Sequence, residues 1–158
     1  PGMCLLEGTN VSEGRGTTRP FEFVGAPWLC AKKLASRLNG EDLPGVIFRP
    51  IHFRPTFQKW SRELCFGVQV HITQPELFQP VRVGLAMLAH IKALAPQDFR
   101  WRTEIYEFVE DPIAIDLLFG SSREREALDQ GASWREVAEK WVSEENEFRE
   151  RRKEFVPK

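Results

Sequence analysis

Residues 66–73 read FGVQVHIT, and the alternation in this stretch decides the fold. Val68, Val70 and Ile72 fall on one side of an extended chain, and Gln69, His71 and Thr73 fall on the other. A period of two residues is the pleat of a β-strand, because successive side chains point to opposite faces. One face is expected in the core and the other wet or functional. Just upstream, residues 46–57 read VIFRPIHFRPTF. Pro50 and Pro55 bar a helix and push Arg49 and Arg54 out of the α region. Proline also removes ladder hydrogen bonds, so this segment is expected at the edge of a sheet. Cys4-Leu5-Leu6 and Phe99–Phe108 are read as further short strands.

The remaining apolar residues recur at helical spacing. Pro27 suits a first helical turn, Trp28, Ala31, Leu34, Ala35 and Leu38 form a stripe, and Asn39-Gly40 ends it. Pro80 opens a helix with Val81, Leu85, Leu88, Ile91 and Leu94 on one side, closed at Ala95-Pro96. Asp111-Pro112 is read as N-cap and first residue of a short helix that Gly120 closes. Ser121 or Ser122 begins another, ended by Gly131. Ser133 caps the last helix, with Glu136 three residues on as a capping box and Trp134, Val137, Ala138, Trp141, Phe148 and Phe155 as its stripe. Strands come early and helices late, without βαβ alternation or internal repeat. The expected class is α+β: one domain over 1–158, a small mixed sheet with helices packed against it, and a long C-terminal helix.

Composition excludes several functions. At 158 residues and 42% hydrophobic, the chain can bury a real core. With 22 basic residues against 23 acidic ones it lacks the cationic excess that gripping nucleic-acid phosphates requires. No apolar run approaches the roughly 18–20 residues of a membrane span. Cys4, Cys30 and Cys65 form no CxxC pair, so neither metal nor cofactor is expected, and they read as free buried thiols. A disulfide is the alternative for an exported protein. The opening Pro1-Gly2-Met3-Cys4 lacks an initiator methionine and enters structure at once, which reads as a piece of a longer chain; a processed terminus is the alternative.

The chemistry gathers in residues 6–17, LEGTNVSEGRGT. Gly8 and Gly14 are too far apart for a phosphate-binding P-loop, and Arg15-Gly16-Thr17 stands where Lys-Thr would be. Glu7, Asn10, Ser12, Arg15 and Thr17 suit a polyhydroxylated ligand, neutral or anionic, with Arg15 offering a planar fork to a carboxylate. The alternative is a loop that satisfies itself, Arg15 pairing Glu7 or Glu13. Arg49 and Arg54 are expected to bond carbonyls along their edge segment. His71 is either a proton carrier or a hydrogen-bonded structural residue. The mixed charges from Glu144 to Glu154 describe a solvated helix face. Trp134 and Trp141 read as core, whereas Trp28, Trp60 and Trp101 are open to stacking on a sugar ring.

Four stretches then carry a resemblance: EGTNVSEGRGTTRPFEFVGAPW (7–28), LPGVIFRPIHFRPTFQKW (43–60), CFGVQVHIT (65–73) and DPIAIDLLFGSS (111–122). In order, they resemble the carboxy-terminal part of the NamZ family of exo-β-N-acetylmuramidases, over residues 3–152. The resemblance implies a preceding Rossmann-like domain, absent here, with the active site in the crevice between the two. It implies release of N-acetylmuramic acid from the non-reducing ends of peptidoglycan fragments, with the catalytic acid on the absent domain. Glu7, Asn10, Ser12, Arg15 and Thr17 would then face the crevice as half of a site, and His71 keeps the family pattern while Gln74 departs from it. We expect Arg15 to meet the lactyl carboxylate and Glu7 to orient an arginine or serve as an auxiliary carboxylate. No catalytic residue, metal or cofactor is expected in this chain, and it is expected to be inactive alone. Its partners would be a peptidoglycan-derived saccharide and the missing domain. A cell-envelope or exported location rests on the resemblance only. The rival readings are a non-catalytic carbohydrate-binding or peptidoglycan-binding module and a structural lid.

Overall fold

A computed structural model describes residues 2–155. Gly2–Gly8 forms a 3₁₀ helix rather than the strand expected at Cys4-Leu5-Leu6. Three apolar residues in a row carry no period, and here both leucines turn inward, Leu5 5% and Leu6 0% exposed. Strand β1 (Phe23–Ala26), helix α1 (Ala31–Asn39), strand β2 (Val46–Phe53) and strand β3 (Cys65–Ile72) follow, then helix α2 (Pro80–Leu94). Four more helices close the chain: α3 (Ala114–Phe119), α4 (Arg123–Asp129), α5 (Trp134–Glu139) and α6 (Val142–Arg152). The class is α+β, as the order of sequence periods predicts.

The sheet has the order β1-β3-β2 and is antiparallel at both pairings, not mixed. The alternating stretch is the central strand, and the double-proline stretch is an edge strand, where Pro50 needs no outer partner. Helix α1 lies over β2 and β3 with Ala31, Leu34, Ala35 and Leu38 buried. Its last residue, Asn39, ties itself to that sheet edge: Nδ2 donates to the Phe48 carbonyl at 2.8 Å and Oδ1 accepts from the Phe48 amide at 2.9 Å. Helix α2 packs between α1, α5 and the 3₁₀ helix, burying Val83 through Leu88 and Ile91.

Several boundaries differ from the sequence reading. Helix α1 starts at Ala31, because Cys30 is still extended (ψ 102°) and Pro27 and Trp28 lie in a turn. Helix α3 starts at Ala114, since Ile113 is extended (ψ 158°), so Asp111-Pro112, a cis peptide, precedes the helix. Phe99–Phe108 is an irregular segment with isolated bridges at Thr9–Trp101 and Tyr106–Val109. The two faces of β3 separate less cleanly than the alternation predicts. Gln69, expected wet, is buried, accepting from Arg49 Nη2 at 2.5 Å and donating to Glu22 at 3.5 Å. His71 is half-buried and Thr73 exposed, and Ile72, expected in the core, is exposed at the strand's end. Ser133 and Glu136 form the predicted capping box. The long C-terminal helix bends at Lys140–Trp141, and α6 buries no residue. Phe148 and Phe155 are exposed, because SEENEFRERR is polar on every side and no stripe continues past Trp141. Of the three free thiols only Cys65 is buried; burial pushes it up to about 11.

Candidate functional site

The 3₁₀ helix ends at Gly8 with Glu7 largely buried, its side chain 13% exposed, and the chain then runs along the outer edge of β1. Ser12 and Gly25 exchange backbone hydrogen bonds of 2.9 and 3.0 Å, so the polar segment caps that sheet edge. Gly14 and Gly16 both adopt left-handed backbone, φ 82° and 80°, which lets the loop double back. Thr17 Oγ1 donates to the Gly14 carbonyl at 2.6 Å, and Ser12 Oγ accepts from the Gly14 amide at 3.2 Å. The hydroxyls therefore hold the turn.

Arg15 is engaged by the segment itself. Its Nη2 lies 2.7 Å from Glu7 Oε1, its Nε 3.4 Å from Glu13 Oε1, and its guanidinium sits 4.9 Å above the Phe21 ring. Of the two roles weighed for this loop, these are the contacts of the self-satisfying one. The second Glu7 oxygen accepts from Tyr106 at 2.6 Å. Burial alone would raise the Glu7 carboxyl, but the bonds from Tyr106 and Arg15 outweigh it and hold it below the usual range. Both oxygens are occupied by donors, so Glu7 is a poor proton donor near neutrality. Tyr106 is pushed up to about 12, by burial first and then by its bond to the carboxylate. Nothing in the local sequence pairs Tyr106 with Glu7.

Lys59 anchors the other side of the segment. Its Nζ donates to the Leu6 carbonyl (2.9 Å), the Val11 carbonyl (3.1 Å) and Glu13 Oε2 (2.9 Å). Burial lowers this ammonium's affinity for its proton, with Glu13 opposing. The Trp60 indole donates to the Asn10 carbonyl at 2.7 Å. Asn10 also bridges to the irregular segment, Nδ2 to the Asp98 carbonyl at 2.8 Å and Oδ1 from the Arg100 amide at 3.0 Å. Its side-chain amide adds to two backbone bonds, Asn10 N–H to the Arg100 carbonyl (3.0 Å) and Arg102 N–H to the Gly8 carbonyl (2.9 Å), which form the single Thr9–Trp101 bridge.

These three segments enclose an open cleft of about 530 Å³, bordered by Asn10, Trp60, Trp101, Arg100, Arg102 and Glu104 among others. Of the sequence-predicted site residues, only Asn10 borders it. Glu7, Arg15 and Thr17 belong to the network that fixes the loop and do not line the cleft, and Ser12 is buried. His71 is elsewhere, opposite Ile47 in the sheet, with Nε2 buried and unpartnered among the described residues. Trp60 and Trp101, singled out as sugar platforms, line the cleft, while Trp28 packs against the core. Arg49 and Arg54 make structural bonds, to Gln69 and to the Arg62 carbonyl. Sequence reasoning does not find Arg100 and Arg102, because RWRTE (100–104) in an apparent strand carries no signal of a cleft. Among the described residues no group of three or more metal-ligating side chains converges, and no helix is long and apolar enough to cross a membrane.

Comparison with known proteins bears on this geometry. The family model described as exo-beta-N-acetylmuramidase NamZ, C-terminal, matches residues 1–156. The chain belongs to that family. It is 38% identical to the peptidoglycan beta-N-acetylmuramidase NamZ of Bacillus subtilis (strain 168), over 99% of this chain and 36% of the relative. Among solved structures it is similar to a DUF1343 family protein from Bacteroides fragilis NCTC 9343, with TM-score 0.79 and 30% identity, over 98% of this chain and 38% of that one. A second DUF1343 protein from the same organism shares the fold at TM-score 0.64 and 23% identity, with the same coverage. The chain thus spans little more than a third of the length of these relatives.

Proposed function

We propose that this chain is the saccharide-binding wall of a peptidoglycan-acting exo-β-N-acetylmuramidase, which releases N-acetylmuramic acid from non-reducing ends. The observation that carries the reading is the family match along essentially the whole chain, joined to a relative named for that activity. The catalytic acid lies on a Rossmann-like amino-terminal domain that this chain does not include, and the two domains close on the sugar from opposite sides. The chemistry of the cleft agrees with a half-site. Glycosidases ordinarily act with two carboxylates across the scissile bond. Among the described residues Glu104 is the one acid bordering the cleft, and Glu7 of the neighbouring loop has both oxygens occupied. Aromatic and polar side chains are present for binding, without an acid–base pair.

In this reading Asn10 borders the sugar site. Glu7, Ser12, Arg15 and Thr17 keep the segment in shape, and His71 supports the sheet behind it. Hydrolysis of a chromogenic N-acetylmuramide tests the proposal. The full-length protein is expected to turn it over, and residues 1–158 alone are expected not to. Brisk hydrolysis by this chain alone overturns the half-site, and none by the full-length protein overturns the activity. The saturated hydrogen bonding of residues 7–17 favours a second reading, a lid whose loop only meets the neighbouring domain. Arg15→Ala and Asn10→Ala would then lower stability and leave substrate preference unchanged.

A further inference from the structure

We infer that the cleft's anion reader is the pair Arg100 and Arg102, not Arg15, and that Trp60 and Trp101 form the apolar walls against which a carboxylate-bearing sugar ring lies. The inference rests on the muramidase reading and assigns its specificity to side chains outside the glycine-rich loop.

Charge accounting around the cleft makes the case. Four cations lie in or beside it. Arg15 is held between Glu7 and Glu13, and Lys59 by Glu13 and two carbonyls. Their charge is matched within the domain. Arg100 makes no ion pair among the described residues; its Nη1 donates to the neighbouring Phe99 carbonyl at 2.7 Å. Arg102 donates Nη2 to the Ile105 carbonyl, and its nearest carboxylate, Glu104, is 3.9 Å away and 78% exposed. Two guanidinium groups, each with donors to spare, therefore border one concave space. An anion entering there meets charge that no buried carboxylate cancels, and a carboxylate matches the guanidinium fork.

The walls point to a ring. Both indole N–H groups are already bonded, Trp60 to the Asn10 carbonyl (2.7 Å) and Trp101 to Asp129 (2.9 Å). Phe99 braces Trp101 edge-on at 4.9 Å. With their polar ends fixed, the two rings offer a ligand apolar surface. The loop carrying Trp60 is held in costly backbone: Gln58, Trp60 and Arg62 are all left-handed, at φ 67°, 59° and 65°. Strain of this kind persists where surrounding bonds over-determine it, commonly at ligand clamps. Here those bonds are the Lys59 ammonium, the Trp60 indole and the Arg62 amide to the Pro55 carbonyl at 2.7 Å.

Calorimetric titration of the full-length protein with N-acetylmuramic acid and with N-acetylglucosamine, which lacks the lactyl carboxylate, tests this. Wild type is expected to favour the acid by about tenfold or more, the worth of one charge-assisted contact. Arg100→Gln/Arg102→Gln should abolish the preference while keeping N-acetylglucosamine affinity within about twofold, and Arg100→Gln alone should lose part of it. Arg15→Gln should keep the preference. A preference that survives in the double variant, or is lost in Arg15→Gln, overturns the assignment, as does wild-type protein that does not distinguish the two sugars. Hydrolysis reports separately on the parent reading. Selective binding lost in the double variant, in a protein that never cleaves muramides, leaves this site standing and removes the muramidase.

Discussion

Replacing Lys59 by methionine should be among the most damaging single changes available near the cleft. Methionine keeps the length and apolar stem of the side chain but removes the ammonium, which bonds Leu6, Val11 and Glu13 at 2.9–3.1 Å. The Glu13 side chain is 3% exposed, so its charge stays buried when the partner goes. Breaking a buried ion pair from one side costs about 3–5 kcal/mol. Two features place this case near the lower end: Arg15 Nε remains 3.4 Å from Glu13, and Lys59 itself is 21% exposed, within reach of cleft water. About 3 kcal/mol is a large share of a domain's roughly 5–15 kcal/mol and corresponds to about 6–12 °C in Tm at this size. Urea unfolding followed by tryptophan fluorescence at pH 7 measures it. Glu13→Gln/Lys59→Met removes the stranded charge and should recover about 1–2 kcal/mol of the loss. A Lys59→Met loss below about 0.5 kcal/mol, within the range of ordinary surface substitutions, or a double variant less stable than Lys59→Met, would refute the buried-pair account.

Three further outcomes are expected. Tyr106 is the only tyrosine, so absorbance at 295 nm reports it alone, and its ionisation should fall near 12 while far-ultraviolet circular dichroism stays native. A folded-state pKa above the unfolded value near 10 is stability present below pH 10 and lost as pH rises through 12; Glu7→Gln should bring the midpoint back toward 10, and a wild-type midpoint at 10 in folded protein sinks the Tyr106–Glu7 bond. An aromatic disulfide reagent should label exposed Cys30 within minutes and buried Cys65 only after denaturation, and equal native rates would contradict their burial. Gly67→Ala should cost about 3 kcal/mol or more in thermal or urea unfolding, because a Cβ there would meet the Val24 carbonyl at 1.8 Å and part β1 from β3; a loss under 1 kcal/mol refutes that packing.

Much of the fold was legible in the chain. The alternation in 66–73 gave the central strand, the two prolines gave the edge strand, and Ser133 with Glu136 gave a cap. Each depends on residues within a few positions of one another. Two pieces differ from the sequence reading: Cys4-Leu5-Leu6, three apolar residues too few to carry a period, and Phe99–Phe108, a mixed polar and aromatic stretch in which distant partners allow only isolated bridges. The candidate site was legible only in kind. The polar segment stood out in composition, and so did two of the tryptophans, but not which side chains border the cleft.

By itself the sequence determined the periods, the caps, the concentration of hydrogen-bonding groups in residues 7–17 and, through its motifs, the family. Tertiary structure alone decided which charges are neutralised and which remain available. Glu7 meets Tyr106 across 99 positions, Asn10 meets Arg100 across 90, and Lys59 meets Leu6 across 53. Electrostatic pairing depends on distance in space, and a linear chain does not encode that distance until its core has packed.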